Sequence, residues 1–278
     1  MSLQDKAMLV TLSVSCWTAR KLDRKVGEEV DRAHGARDAG RYNKLLVDKQ
    51  HLDPVTSYAG QIRAYHYKMT MPWMDNGARL LPSKLFKEYS AEMRKMKNEY
   101  SNLVIAFLDK YEKTLVQEAR LRLGTLYDPE DYPPRSDLRM KFDVELDILP
   151  VPDGADFRVD IGDAERARIR EDIAQRMAER QAAAVRDAWK RVRETVGKVV
   201  ERLTAPKAVV HESLVGNAEE LARILPGLNI NDDPVMADVT ERIIDKLLVP
   251  TEKLRRSAAF RREVAAHAQG ILDLCPTV

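Results

Sequence analysis

The chain has 278 residues, 44% hydrophobic and 32% charged, which is long enough to bury a core and too apolar for a disordered chain. Net charge is only +2, and no apolar run approaches the roughly 20 residues that span a bilayer, so a membrane role is not expected. Cys16 and Cys275 are the only cysteines, which speaks for a reducing compartment and against a disulfide or zinc framework.

In chain order, MLVTLSVSC alternates Val10, Leu12, Val14 and Cys16 against Leu9, Thr11, Ser13 and Ser15, a strand pattern. Leu22, Val26 and Val30 then recur at helical spacing until His34-Gly35, and a short helix is expected from Tyr42 to Gln50. Asp53-Pro54 supplies an N-cap and a first-turn proline, so the next helix is expected to start there and run into RAYHYKMTMPWMDNGARLLP, residues 63–82. Pro72-Trp73 and Asn76-Gly77 turn the chain toward Pro82-Ser83.

Phe86, Tyr89, Met93, Met96, Tyr100, Leu103 and Phe107 form a heptad-like seam, predicting a helix over 83–123 that Gly124 stops. At 1.5 Å per residue it is a rod of about 60 Å and calls for a partner of similar length. A second rod is predicted over 163–203. Its stripe starts at Ile169, Ile173 and Met177 and continues through Val185, Trp189, Val192, Val196, Val199 and Leu203. The two are expected to pack antiparallel with Trp189 in the seam, a coiled coil between chains being the alternative.

Between the rods, Phe142, Val144, Leu146 and Ile148 alternate with Lys141, Asp143, Glu145 and Asp147. DFRVDI repeats the device with Phe157, Val159 and Ile161, across an Asp153-Gly154 hairpin turn. Three antiparallel strands are therefore expected. Helices follow at about 216–225, 233–248 and 251–273, punctuated by Pro226, Pro234 and Pro250. The expected fold is α+β and predominantly helical: two long antiparallel helices, a small three-stranded antiparallel sheet and a C-terminal helical bundle. The expected division is 1–205 and 206–278.

The chain lacks the glycine patterns of nucleotide-binding loops, a nucleophile elbow and paired metal-ligand spacing, so no catalytic residue, cofactor or metal is expected, and a non-enzymatic protein is. Asp143, Glu145 and Asp147, with Asp160 nearby, have the hard oxygen chemistry that magnesium takes. They read first as a polar sheet face. Tyr65, Tyr67 and Trp73 with Arg63, Lys68 and Arg79 have the chemistry of a single-strand stacking surface, although Tyr65 and Tyr67 fall on opposite sides of a helix. Charge is uneven. Residues 125–165 hold twelve acids against four bases, and KLRRSAAFRR carries Lys253, Arg255, Arg256, Arg261 and Arg262 without an acid.

SVSCWTARKLDRKV, HYKMTMPWMDNGARLLP, GTLYDPEDYPP and LPVPDGADFRVDIG, in that order over roughly the first 165 residues, resemble a family of uncharacterised phage and integrative-element proteins. The resemblance implies a setting near recombination genes and AAA-type ATPases, in the cytoplasm of a bacterial host. Two functions are expected from these readings. One is a homo-oligomeric protein that binds or anneals single-stranded DNA. The other is an assembly or adaptor protein that scaffolds a partner such as an AAA-type ATPase.

Overall fold

The computed structural model describes residues 2–75, 77–206 and 209–276. In chain order the elements are α1 (Leu3–Lys6), β1 (Ala7–Ser15), β2 (Arg20–Leu22), α2 (Arg24–Ala33), β3 (Asn43–Leu45), α3 (Lys49–Met69), β4 (Met71–Pro72), β5 (Arg79–Pro82) and α4 (Ser83–Lys110). A π-helical turn, Tyr111–Leu115, leads to α5 (Val116–Leu123), α6 (Arg135–Arg139), β6 (Asp143–Pro150), α7 (Asp163–Thr204), α8 (Glu212–Leu228), α9 (Pro234–Leu247), α10 (Thr251–Arg256) and α11 (Ala258–Leu274). The fold is α+β and mainly helical, as composition and periodicity suggest.

The sheet has four strands rather than three, in the order β4-β5-β1-β6. Its extra members come from the Trp73 turn, where Met71 and Pro72 face Leu80 and Arg79, and Ala7 to Val10 pair with Pro82 to Arg79. DFRVDI forms no strand. Arg170 on α7 donates to the carbonyl of Phe157, and Arg166 to that of Val159, so this backbone is bonded by arginine side chains instead of a neighbouring strand. A second ladder, β2 with β3, occupies the place of the short helix expected over 42–50. α3 begins at Lys49, five residues before Pro54, because Asp48 Oδ1 accepts from the Gln50 amide at 3.1 Å and supplies the cap.

The chain forms two compact units that exchange segments. Unit 1 is Met1–Thr11, Tyr67–Tyr89 and Asp147–Val278; unit 2 is Leu12–His66 and Ser90–Leu146. The boundary expected after residue 205 falls inside unit 1, because α7 packs on α8 and α11 there.

In unit 1, Ala184, Ala188, Trp189, Val192, Val196, Val199 and Leu203 of α7 are buried. Their neighbours are α8, α11 and β4, which take the place assigned in the sequence to a second rod. α9 completes the layer against α8 and α11. Pro226 lies inside α8 without ending it; the helix runs on to Leu228, and Gly227 fits because a Cβ there would sit 2.4 Å from Leu85 Cγ. Asp233 then caps α9 through the Val235 amide, with Pro234 in the first turn. The helix expected over 251–273 is split at Ser257, whose Oγ accepts from the Phe260 amide and starts α11 anew.

Unit 2 is built on aromatic packing. Trp17 meets Tyr111 edge-on at 5.8 Å, and Phe107 meets Phe142 at 5.8 Å. The predicted 83–123 rod is helical throughout but carries the π-helical turn at Tyr111, and Gly124 at φ +54 ends it. On β3, Lys44 is buried with Asp131 at 2.6 Å and Asp23 at 3.4 Å, and it donates to the Leu126 carbonyl at 3.0 Å. Desolvation opposes the Lys44 charge, but the two carboxylates outweigh it and hold its pKa above the ordinary value.

Burial and neighbouring tyrosines push the Tyr111 and Tyr132 phenols up to about 12. Their hydroxyls donate to the carbonyls of Pro133 and Leu46, both at 3.0 Å. An unfolded tyrosine ionises near pH 10, so above that pH the unfolded chain binds fewer protons and stability falls as pH rises. Lys44 acts in the same direction, since a raised lysine pKa contributes stability that is lost as pH climbs through it. Unit 2 is therefore expected to lose stability between pH 10 and 12, with late-titrating tyrosinate absorbance appearing together with loss of circular dichroism. Unfolding that is independent of pH across that window would contradict this packing.

Candidate functional site

The stretch 63–82 is divided between the two units within α3, after His66. In unit 2, Arg63 is exposed, yet its guanidinium donates to the Val14 carbonyl at 2.7 Å. Tyr65 is half-buried and His66 is buried.

In unit 1, α3 ends at Met69 in a compact basic centre. Carbonyls at a helix carboxyl end lack intrahelical donors and carry partial negative charge. Arg191 of α7 supplies the donors: Nη1 reaches Lys68 O at 2.7 Å, and Nη2 reaches Tyr67 O at 3.2 Å and Thr70 O at 2.6 Å. Its Nε bonds Asp187 at 2.8 Å, one helical turn earlier. Arg79 approaches the same point from β5, donating to Thr70 Oγ1 at 2.7 Å and to Thr70 O at 3.1 Å. Burial first, then the adjacent Arg191 charge, draws the Arg79 pKa below its ordinary value. Its guanidinium carbon also lies 4.8 Å from the centre of the Tyr67 ring, a cation–π contact. Lys68 pairs with Glu220 on α8.

Trp73 does not belong to a stacking surface. It is 6% exposed, because the β4–β5 turn folds it inward, and its indole nitrogen has no hydrogen-bond partner among the described residues. Asn76, half of the expected Asn76-Gly77 reversal, lies outside the described residues; Gly77 has φ +95, a left-handed value glycine permits. Of the three aromatics, Tyr67 alone is well exposed, at 54%.

The basic stretch at 253–262 is likewise partly spent. Arg255 donates to the Val210 carbonyl and pairs with Glu252, and Arg256 stands 3.7 Å from the same glutamate. Arg261 Nη1 donates to the Leu254 and Arg255 carbonyls, closing the end of α10. Lys253 and Arg262 are exposed. Asp143, Glu145 and Asp147 are exposed along β6, Asp143 accepting from the Val144 amide, and no group of three or more metal-ligating side chains occurs among the described residues. No helix among the described residues is long and apolar enough to cross a membrane.

Arg191 is the residue that sequence reasoning missed. The Asp187–Arg191 pair is legible as an i,i+4 spacing, but its target is more than a hundred residues away and leaves no local trace. Arg191→Ala is expected to cost about 2 kcal/mol through lost charge-assisted bonds, seen as a lower urea midpoint at unchanged slope.

No protein-family model matches the chain, and neither curated proteins nor solved structures give a match.

Proposed function

We propose that the chain is a non-enzymatic assembly protein of a phage or integrative element. It self-associates through unit 1, and the assembly scaffolds a partner such as an AAA-type ATPase. One observation carries this reading. The stretch 148–161 leaves Ile148, Leu149, Val159 and Ile161 all exposed, Leu149 and Val159 by more than half, at 57% and 55%. A sheet that needed only a polar outer face has no use for these side chains, and exposed apolar groups of this size favour being covered.

Charge supports a second copy as the cover. Asp147, Asp153, Asp156, Asp160 and Asp163 accompany the apolar stretch and are exposed, while Lys253, Arg256 and Arg262 are exposed elsewhere in the same unit. Surfaces of opposite sign on one chain suit contacts between copies, and such contacts weaken with salt. The resemblance to phage and integrative-element proteins supplies the ATPase as the class of partner. Mass photometry at low and high salt tests the proposal. Wild type is expected to form defined oligomers that Leu149→Asp with Val159→Asp reduces to monomers; a wild-type monomer throughout would remove the reading.

Tyr67, exposed with Arg79 against its ring, supports a second reading, single-stranded DNA binding during recombination or replication. Stacking there is worth about 1–3 kcal/mol per base. It requires a titration that weakens steeply with salt and that Tyr67→Ala impairs. Oligonucleotide binding absent at low salt excludes it.

A further inference from the structure

Unit 2 holds a cleft of about 340 Å³ that plays no part in the assembly reading. Its volume lies within the roughly 300–1,000 Å³ of small-molecule sites. Trp17, Leu45, Val47 and Leu52 give it an apolar lining. Lys49, Leu52, Asp53 and Thr56 of α3 recur at helical spacing along one wall, and Arg20 of β2 contributes to the lining too.

Three observations set this cleft apart from an ordinary surface depression. Ala19 in its wall is 3% exposed and has φ +51, a left-handed backbone that a residue with a Cβ adopts at a cost. The Leu46 amide bonds the Ala19 carbonyl at 2.8 Å and fixes that conformation. Behind Trp17, Tyr111 opens the π-helical turn, and such turns recur at functional sites. Finally, Arg20 and Lys49 are both exposed, and neither has a carboxylate within ion-pair distance among the described residues.

Arg20 and Lys49 against Asp53 leave the lining with one net positive charge. We infer that the cleft binds a small apolar molecule bearing a single carboxylate. The apolar body lies against Trp17, Leu45 and Val47, and the carboxylate is held by Arg20 and Lys49. Asp53 disfavours a second negative charge on the ligand. The Thr56 hydroxyl already donates toward the Leu52 and Asp53 carbonyls, so it does not contribute to head-group binding. Burial raises the Cys16 thiol pKa, which keeps it protonated at neutral pH, and the binding is non-covalent.

Calorimetric titration of the full chain with phenylbutyrate, phenylbutanol and phenylbutylamine tests this inference. Phenylbutyrate is expected to bind one-to-one, the alcohol about tenfold more weakly for want of charge-assisted bonds, and the amine more weakly still. Arg20→Gln with Lys49→Gln, both at exposed positions, is expected to bring phenylbutyrate down to the affinity of the alcohol without lowering the melting temperature. No saturable binding of phenylbutyrate by wild type, equal binding of the three probes, or undiminished binding by the double variant would each overturn it. The cleft lies wholly in unit 2, so these outcomes leave the assembly reading in unit 1 untouched.

Discussion

Trp189→Ala is expected to destabilise unit 1 by about 3–5 kcal/mol, the cost of a large cavity at a site that cannot collapse. Trp189 is 3% exposed on α7, and Ala188 and Val192 beside it are buried as well. α8 and α11 press on the same helix, so neither can move inward without losing its own contacts. Trp189→Phe is expected to retain most of the stability, since it refills much of the space. Urea unfolding followed by circular dichroism reads both variants, and a midpoint unchanged by Trp189→Ala would mean that α7 is not the centre of this unit.

Lys44→Ala has a comparable effect in unit 2 for a different reason. Removing the ammonium takes the nearest counter-charge from Asp131 and Asp23, whose side chains are 8% and 15% exposed, and leaves Asp131 only Lys21 at 3.7 Å. Breaking one partner out of a buried ionic group costs about 3–5 kcal/mol, mostly as uncompensated desolvation. A charge-removing second change should therefore recover stability. Lys44→Ala combined with Asp131→Asn is expected to be more stable than Lys44→Ala alone, a coupling of the sign a double-mutant cycle reads directly. If the double variant is simply the sum of two losses, the three charges do not act as a unit.

Periodicity made the helices legible. The stripe from Trp189 to Leu203 is buried as its spacing implies, and the alternation from Val10 onward does form β1. What periodicity lacks is the identity of the facing element. The apolar seam of the 83–123 helix and the stripe of α7 suggested each other, whereas α7 packs on α8, α11 and β4. DFRVDI alternates as a strand would, yet its carbonyls are taken up by Arg166 and Arg170, and nothing in its own pattern distinguishes a strand partner from two guanidinium groups. β2 and β3 are three residues each, too short for any period to register, and the dipeptide Asp53-Pro54 misplaced the start of α3 because Asp48 caps it first.

The candidate site was legible as chemistry but not as exposure. Arg63, Arg79 and Arg261 are cationic as a nucleic-acid surface requires, but each donates to backbone carbonyls in the fold. Trp73 carries the right ring in a buried place. Conversely, Ile148, Val159 and Ile161 read as inward-facing strand residues and are exposed. The reversal follows from one cause, the missing hairpin partner, and it moves the weight of the functional reading from a stacking surface to an apolar contact surface.

Hydrogen–deuterium exchange over residues 147–163, followed as protein concentration is raised, tests the assembly surface most directly. Exchange in this stretch is expected to slow as copies associate, together with that in 253–262, and high salt is expected to reverse both. Exchange over 147–163 that stays constant across concentrations at which the mass increases would place the contact elsewhere and contradict it.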